Sequence, residues 1–389
     1  MTAKLGCVSE KLKILLVFHS TCTNFVPEME AAVTNKKTRL EWLDALRGFT
    51  MVMVVAYHVA QTGFGETLKN SSSMPFLIMF RMPLFFFVSG FLAYKASQVW
   101  NARNLGKLLA KKLRVQIVPT VIFFLVATAI LHNNLDKTIM IHLHSMYKGG
   151  YWFTLVLLYM FVVYYLFAYV ESKMKRRSWI PIVVLFVLSL VAYETCFLPK
   201  QFFYAYGHKG MADTIMTQTS FILLFQYFPF FLYGNIVHRY WKQAECVMDS
   251  RWFFPIVVLV ALLSSLDALK WHTLRMEWAN LPMTLARFTM LTIVFMFFRR
   301  YKESFTREHW VGRGLQYIGV RTLDIYLIHY IFLPHVSGVG AFFKVNPGNF
   351  VLDTTMSILL GLLVIGFCLV TSSILRISPL LKKYLFGRE

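Results

Sequence analysis

The chain has 389 residues, of which 57% are hydrophobic and only 15% are charged, and its formal net charge is +21. So high an apolar content excludes an ordinary soluble protein. The charge does not indicate nucleic-acid binding, because Lys and Arg stand in short clusters between apolar runs and form no continuous basic face. The five cysteines have neither metal-ligand nor redox spacing, so the sequence predicts no metal site.

Residues 1–38 come before the apolar part of the chain, and we predict a disordered cytoplasmic leader or a start codon assigned too far upstream. Residues 39–376 are predicted to form one membrane domain, because apolar runs long enough to cross a bilayer follow one another with short polar loops between them. Residues 377–389 are predicted to be a cytoplasmic tail.

The predicted fold class is all-α, a polytopic membrane helix bundle of about ten transmembrane helices. The predicted helices lie at 43–61, 75–95, 114–131, 152–170, 179–193, 217–237, 252–268, 281–298, 317–334 and 352–374.

Basic residues are concentrated in every second loop between these helices. The second loop, for example, ends with Lys111, Lys112 and Arg114, whereas the ninth has only Lys344. An excess of Lys and Arg is typical of cytoplasmic loops. The alternation therefore predicts a protein of the cell membrane with both termini in the cytoplasm.

Few ionisable residues fall inside the predicted spans. Such residues are costly in a bilayer and are candidates for function by default. They are Arg47 and His58 in the first helix, Arg81 in the second, Arg287 in the eighth, and Asp324 and His329 in the ninth.

Arg47 and His58 are eleven residues apart in the first helix. At about 100° per residue they project from nearly the same face, and at a rise of about 1.5 Å per residue they lie roughly 16 Å apart along the axis. This spacing suits a long anionic donor with its charged head at Arg47 and its reactive end at His58. The alternative is an arginine that reaches the membrane surface and a structural, hydrogen-bonded histidine.

The other ionisable residues also allow two interpretations. Arg81 could share the depth of His58 and stabilise an oxyanion or hold a substrate hydroxyl, or it could simply extend to the membrane interface. Arg287 and Asp324 could form a structural ion pair or act in catalysis. His329 could be structural or functional. The pair Lys112 and Arg114 could bind the phosphates of a nucleotide-bearing donor, or serve only as a topology signal.

Four motifs in order resemble the acyltransferase 3 family of integral membrane acyltransferases. They are Arg39-Leu-Glu-Trp-Leu-Asp44-Ala-Leu-Arg47-Gly48 with ten residues between Arg47 and His58, then Pro83-Leu-Phe-Phe-Phe-Val-Ser89-Gly90-Phe91, Trp152-Phe153, and Ile318-Gly319 through Tyr326-Leu-Ile-His329. The Met-Pro before the phenylalanine cluster is most similar to a fucose 4-O-acetylase-like branch. The chain departs from the family at Lys112, where Arg is frequent, and at Asp324, where Ser is frequent.

The resemblance implies transfer of an acyl group, most simply acetyl, from acyl-CoA to a hydroxyl of a cell-envelope carbohydrate or its lipid-linked precursor. His58 would be the general base, with Arg47 and Arg81 beside it in the catalytic set, and a relay through an acylated residue is equally open. Acyl-CoA would be a substrate held by Arg47, Lys112 and Arg114, with no permanently bound cofactor. Supporting roles would fall to Asp44, Trp152, Arg287, Asp324 and His329. The alternative function is a transporter or flippase of a glycolipid or a small anion.

Overall fold

The computed structural model describes residues 40–68, 70–174, 179–197, 211–270, 281–346 and 348–386. Within these ranges the chain is helical and has no β-strand. The α-helices are α1 (Glu41–His58), α2 (Ser73–Ala93), α3 (Ala102–Lys112), α4 (Val118–Leu131), α5 (Leu135–His144), α6 (Trp152–Lys173), α7 (Ile180–Phe197), α8 (Met211–Gln218), α9 (Phe221–Arg239), α10 (Trp241–Met248), α11 (Phe253–Lys270), α12 (Leu281–Arg300), α13 (Trp310–Val320), α14 (Thr322–Ile328), α15 (Ser337–Val345), α16 (Phe350–Leu375) and α17 (Pro379–Phe386).

Every one of the ten predicted segments contains helix, and the prediction of an all-α polytopic bundle is confirmed. In the part of the chain that the structure describes, seven helices are long and apolar enough to cross a membrane, or up to nine if two bent pairs each form one span. One of the seven is α3 and α4 joined through a π-helical turn, Ala102–Leu131. The total of ten spans and their orientation stay predictions.

The prediction of one continuous helix at 317–334 is wrong. α13 ends at Val320, α14 begins at Thr322, and a 3₁₀ turn over His329–Phe332 follows it. Leu333 is then extended, with φ −66° and ψ 117°. It precedes Pro334, and proline disfavours helical geometry in the residue before it. The segment Thr322–Phe332 consequently meets α15 at an angle of 89°.

Two helix crossings are so close that only glycine fits at their contact points. Where α1 crosses α13, a Cβ atom on Gly48 would lie 1.9 Å from the Leu315 carbonyl oxygen, and one on Gly319 would lie 1.8 Å from that of Asp44. Small residues allow membrane helices to approach closely. This crossing fixes the first helix, at the level of Arg47, against the start of the segment that carries Thr322 and His329.

The second crossing joins α2 to α9 in the same way. A Cβ atom on Gly90 would lie 1.8 Å from the Phe231 carbonyl oxygen, and one on Gly234 would lie 1.9 Å from that of Phe87. Aromatic rings fill the space around the contact, and the Phe87 and Phe295 centroids are 4.9 Å apart. The two crossings hold α1, which carries Arg47 and His58, and α2, which carries Arg81, each firmly against a neighbouring helix.

The first turn of α2 is capped from another helix. Asp353, in α16 and only 1% exposed, accepts hydrogen bonds from the backbone N–H groups of Ser72 and Ser73 at 3.0 and 2.8 Å. A carboxylate satisfies the free N–H groups at a helix N-terminus and is stabilised by the helix dipole. The Asp353 carboxylate therefore has a structural role, and it holds α16 against the start of α2.

Candidate active site

A cavity of about 410 Å³ opens beside Arg47 between α1, α2, α3 and α6. Its wall carries four basic side chains, from Arg47, Lys95, Lys111 and Lys112. Aromatic and aliphatic side chains such as Phe161 and Leu157 line the rest. Several cations around an apolar interior suit a ligand with anionic groups at one end and an apolar arm at the other.

Arg47 is held at this cavity by partners on two helices. Its guanidinium donates to the Thr322 hydroxyl at 3.0 Å and lies 3.5 Å from the Asp44 carboxylate. Asp44 is one turn before Arg47 in α1 and is 7% exposed. Arg47 keeps 28% of its side chain exposed.

Of the two basic residues predicted to assist Arg47, the structure brings one to the cavity. The Lys112 ammonium lies 3.4 Å from the centre of the Phe161 ring, a cation–π contact at the cavity wall. Arg114 is exposed and is not among the residues that line this cavity. Lys95, which the sequence did not single out, is in the lining.

At the other end of α1, His58 contacts side chains from the segment after α14. The rings of His58 and His329 have centroids 5.2 Å apart. The Tyr330 hydroxyl lies 3.3 Å from Nε2 of His58. His58 thus contacts two residues that follow it by 271 and 272 positions in the chain. We call these three residues, His58, His329 and Tyr330, the histidine cluster.

The backbone determines the tautomer of His329. Its Nδ1 lies 2.8 Å from the Tyr326 carbonyl oxygen and 3.1 Å from that of Ile325. A carbonyl oxygen can only accept, so Nδ1 carries the proton and Nε2 carries the lone pair. The ring is 0% exposed, and Nε2 has no hydrogen-bond partner among the residues that the structure describes. His329 therefore presents a buried nitrogen with a lone pair beside His58.

Arg81 brings a buried cation to the same end of α1. It is 8% exposed, and its guanidinium carbon lies 3.6 Å from the centre of the Tyr57 ring. Its Nε atom has no hydrogen-bond partner within the described ranges. Because Tyr57 is next to His58 in the chain, the guanidinium lies close to the histidine cluster, and a shared depth of Arg81 and His58 in the membrane stays a prediction. A buried guanidinium with an unused donor can stabilise negative charge on a substrate.

A tight loop between α5 and α6 packs onto the histidine cluster. The Tyr326 hydroxyl donates to the Gly150 carbonyl at 3.0 Å, and the Tyr151 hydroxyl donates to the Leu327 carbonyl at 2.9 Å. The Lys148 ammonium donates to the carbonyls of Leu143 and Gln218, and loss of hydration lowers the pKa of that lysine.

Trp152 begins α6 immediately after this loop. Its ring stacks on Tyr227 with centroids 5.5 Å apart and is 9% exposed. This position gives Trp152 a packing role that fixes α6 against α9 near Arg81. The loop and α6 together leave the histidine cluster bordered by aromatic rings.

The predicted ion pair between Arg287 and Asp324 is wrong. Asp324 accepts from Arg376 at 2.5 Å and from the Ser372 hydroxyl at 2.7 Å, both at the end of α16. Arg287 donates instead to the Tyr193 hydroxyl at 2.9 Å. The break at Arg321 turns Asp324 toward α16, a direction that a continuous helix would not give. Asp324 is thus a structural anchor for α16.

Two groups of site residues lie along α1, a basic cavity at Arg47 and a partly buried histidine cluster at His58. Tyr330 and Lys95 were missed, although each stands next to a feature already noted, the late histidine and the second basic loop. Among the described residues no group of three or more His, Cys, Asp or Glu side chains could hold a metal ion.

These features describe a multi-pass membrane protein with a basic cavity at one end of α1 and a partly buried histidine cluster at the other. The sequence profile of an acyltransferase domain matches residues 40–376, so the chain belongs to the acyltransferase 3 family, and a membrane acyltransferase is the class that this family supports. Comparison with curated proteins and with solved structures gives no significant match.

Proposed function

We propose that the protein is a cell-membrane O-acyltransferase that moves an acyl group, in the simplest case acetyl, from acyl-CoA to a hydroxyl of a cell-envelope carbohydrate. The observation that carries the proposal is the position of His58, on the helix that holds Arg47 at the basic cavity and in contact with His329 and Tyr330. The family supplies the reaction type, acyl transfer.

The basic cavity is the proposed donor site. The phosphates of acyl-CoA would meet Arg47, Lys95 and Lys112, whose charges favour phosphate oxygens. A second cavity of about 660 Å³ shares Lys95 and Trp100 with the first, and it gives space for the bulky nucleotide end. The thioester would point along α1 toward His58, roughly 16 Å from Arg47.

The histidine cluster is the proposed reaction centre. A neutral His58 would accept the proton of the carbohydrate hydroxyl as the oxygen attacks the thioester carbon, a general-base role. The Arg81 guanidinium, whose Nε–H has no partner among the described residues, would stabilise the negative charge that develops on the carbonyl oxygen. The lone pair on Nε2 of His329 would offer a hydrogen-bond acceptor to a substrate in the same place.

Membranes from cells that express the chain, incubated with acetyl-CoA labelled in the acetyl group, provide the test. We expect label in the glycan or lipid-linked glycan fraction, released by mild alkali as an O-ester should be. Membranes that carry the empty vector are the control. Equal incorporation in both preparations, across acyl-CoA donors of different chain length, would refute the proposed function.

A further inference from the structure

Tyr330, which contacts His58 directly, has no place in the proposed reaction as described above. Its hydroxyl lies 3.3 Å from Nε2 of His58, and the two ring centroids are 5.1 Å apart. A phenol hydroxyl can donate one hydrogen bond and accept others, so it can stand between a substrate hydroxyl and an imidazole nitrogen. This geometry calls for a role other than packing.

The backbone of Gly150 packs directly against the Tyr330 ring. Three successive residues, Lys148, Gly149 and Gly150, have positive φ angles of 49°, 61° and 98°. A Cβ atom on Gly150 would lie 2.3 Å from Cζ and 2.4 Å from the hydroxyl oxygen of Tyr330. The loop thus requires glycine at 150 both for its conformation and for direct contact with the phenol.

We propose that Tyr330 is a proton relay between the acceptor hydroxyl and His58, and that Gly150 positions it. This inference rests on the proposed acyl transfer. With the Tyr330 hydroxyl as donor, Nε2 of His58 carries the lone pair and Nδ1 carries the ring proton. The phenol then covers the basic nitrogen, so the acceptor hydroxyl reaches that nitrogen through Tyr330.

The relay conserves every atom of the transfer. The acceptor O–H proton moves to the Tyr330 oxygen while the Tyr330 proton moves to Nε2 of His58. The acceptor oxygen forms a bond to the acyl carbon, and the carbon–sulfur bond breaks. The departing thiolate then takes a proton from the Tyr330 hydroxyl while the His58 imidazolium returns its proton to the Tyr330 oxygen. This restores the neutral imidazole and the phenol, and it leaves an ester and a free thiol.

Replacement of Tyr330 by Phe removes the relay oxygen and keeps the ring. We expect kcat to fall about 10- to 100-fold, part of what a general base contributes, with the KM for acyl-CoA unchanged because the donor cavity is untouched. Tyr159→Phe is the matched control, since its hydroxyl donates to the Thr219 carbonyl elsewhere in the bundle. A Tyr330→Phe protein with the wild-type kcat would overturn the relay.

A pair of glycine variants distinguishes displacement of Tyr330 from strain in the loop backbone. Gly150→Ala and Gly149→Ala both place a side chain at a positive φ, but the new methyl group meets Tyr330 in the first and His142 in the second. We expect the large loss of kcat only in Gly150→Ala, with both proteins at wild-type levels in the membrane. Equal losses in the two variants would assign the effect to the loop and contradict the positioning role of Gly150.

A chemical probe tests the contact without any turnover. Diethyl pyrocarbonate acylates unprotonated imidazole nitrogens, and mass spectrometry of the His58 peptide gives the rate. We expect a several-fold faster reaction of His58 in Tyr330→Phe than in wild type, because the hydroxyl no longer covers Nε2. Equal rates would overturn the inference alone, whereas absence of acyl transfer in the wild type would refute the proposed function and the relay with it.

Discussion

The two ends of α1 place their ionisable side chains in different surroundings. At one end Arg47 keeps 28% of its side chain exposed and faces a cavity with three lysines. At the other end His329 is 0% exposed and Arg81 is 8% exposed, both among aromatic rings. When a hydrated cation is removed by substitution, a neighbouring cation can take over its interaction with a ligand. When a buried polar group is removed, its hydrogen-bond partners stay unsatisfied. This contrast supports the proposal that the donor binds at the first end and that the acyl group is transferred at the second.

The largest effect should follow substitution of His58. We expect His58→Ala and His58→Gln to lower the rate of acyl transfer about 10²- to 10⁴-fold, the contribution of a positioned general base. Gln retains one donor and one acceptor but cannot take up a proton at neutral pH. The measurement is acyl content of the glycan by mass spectrometry in cells that express each variant at matched levels.

The control for this substitution is His144→Gln, because His144 is exposed and its Nδ1 lies 2.7 Å from the Met140 carbonyl oxygen of its own helix, α5. It should leave acylation unchanged. If His58→Gln retains near-normal acylation, His58 is structural, and the contrast between a binding end and a reactive end of α1 is lost.

A smaller effect of a different kind should follow substitution at the cavity. We expect Lys95→Ala combined with Lys112→Ala to raise the KM for acyl-CoA about tenfold, equivalent to about 1.4 kcal/mol, with a smaller change in kcat. Contacts to phosphates far from the reacting carbonyl contribute binding that is uniform between ground state and transition state. The measurement is initial rate against acyl-CoA concentration in membranes.

Lys107→Ala serves as the matched control, since Lys107 is an exposed lysine of the same helix as Lys112 and does not line the cavity. If the double variant loses kcat at unchanged KM, the cavity is not the donor site, and the two ends of α1 no longer divide binding from chemistry.

The sequence predicted the parts of the site that lie within one helix. Arg47 and His58 share α1, so helical geometry alone gives their relative position. The apolar runs likewise predicted where helices would form. In both cases the information is local, since it depends on hydrophobic content and a fixed helical period.

The parts that the sequence did not predict depend on contacts between distant segments. Asp324 pairs with Arg376 because the helix stops at Val320, and the close approach of Gly319 to Asp44 fixes that stop against α1. Tyr330 reaches His58 through a 3₁₀ turn and a glycine loop. The hydrophobic periodicity of the sequence indicates neither contact, because both depend on which helices pack together.

The smallest expected effect concerns Arg114. The sequence grouped it with Lys112 as a ligand for phosphate, but its side chain is exposed on the π-helical turn between α3 and α4 and does not line the basic cavity. Arg114→Ala should therefore change the KM for acyl-CoA by less than about twofold, within the range of an exposed charge. The comparison with the lysine double variant, in the same membranes, is decisive. A tenfold rise in KM for Arg114→Ala would mean that the phosphates bind along the outer surface of α3 and α4, and the basic cavity would then be no more than a hydrated gap beside Arg47.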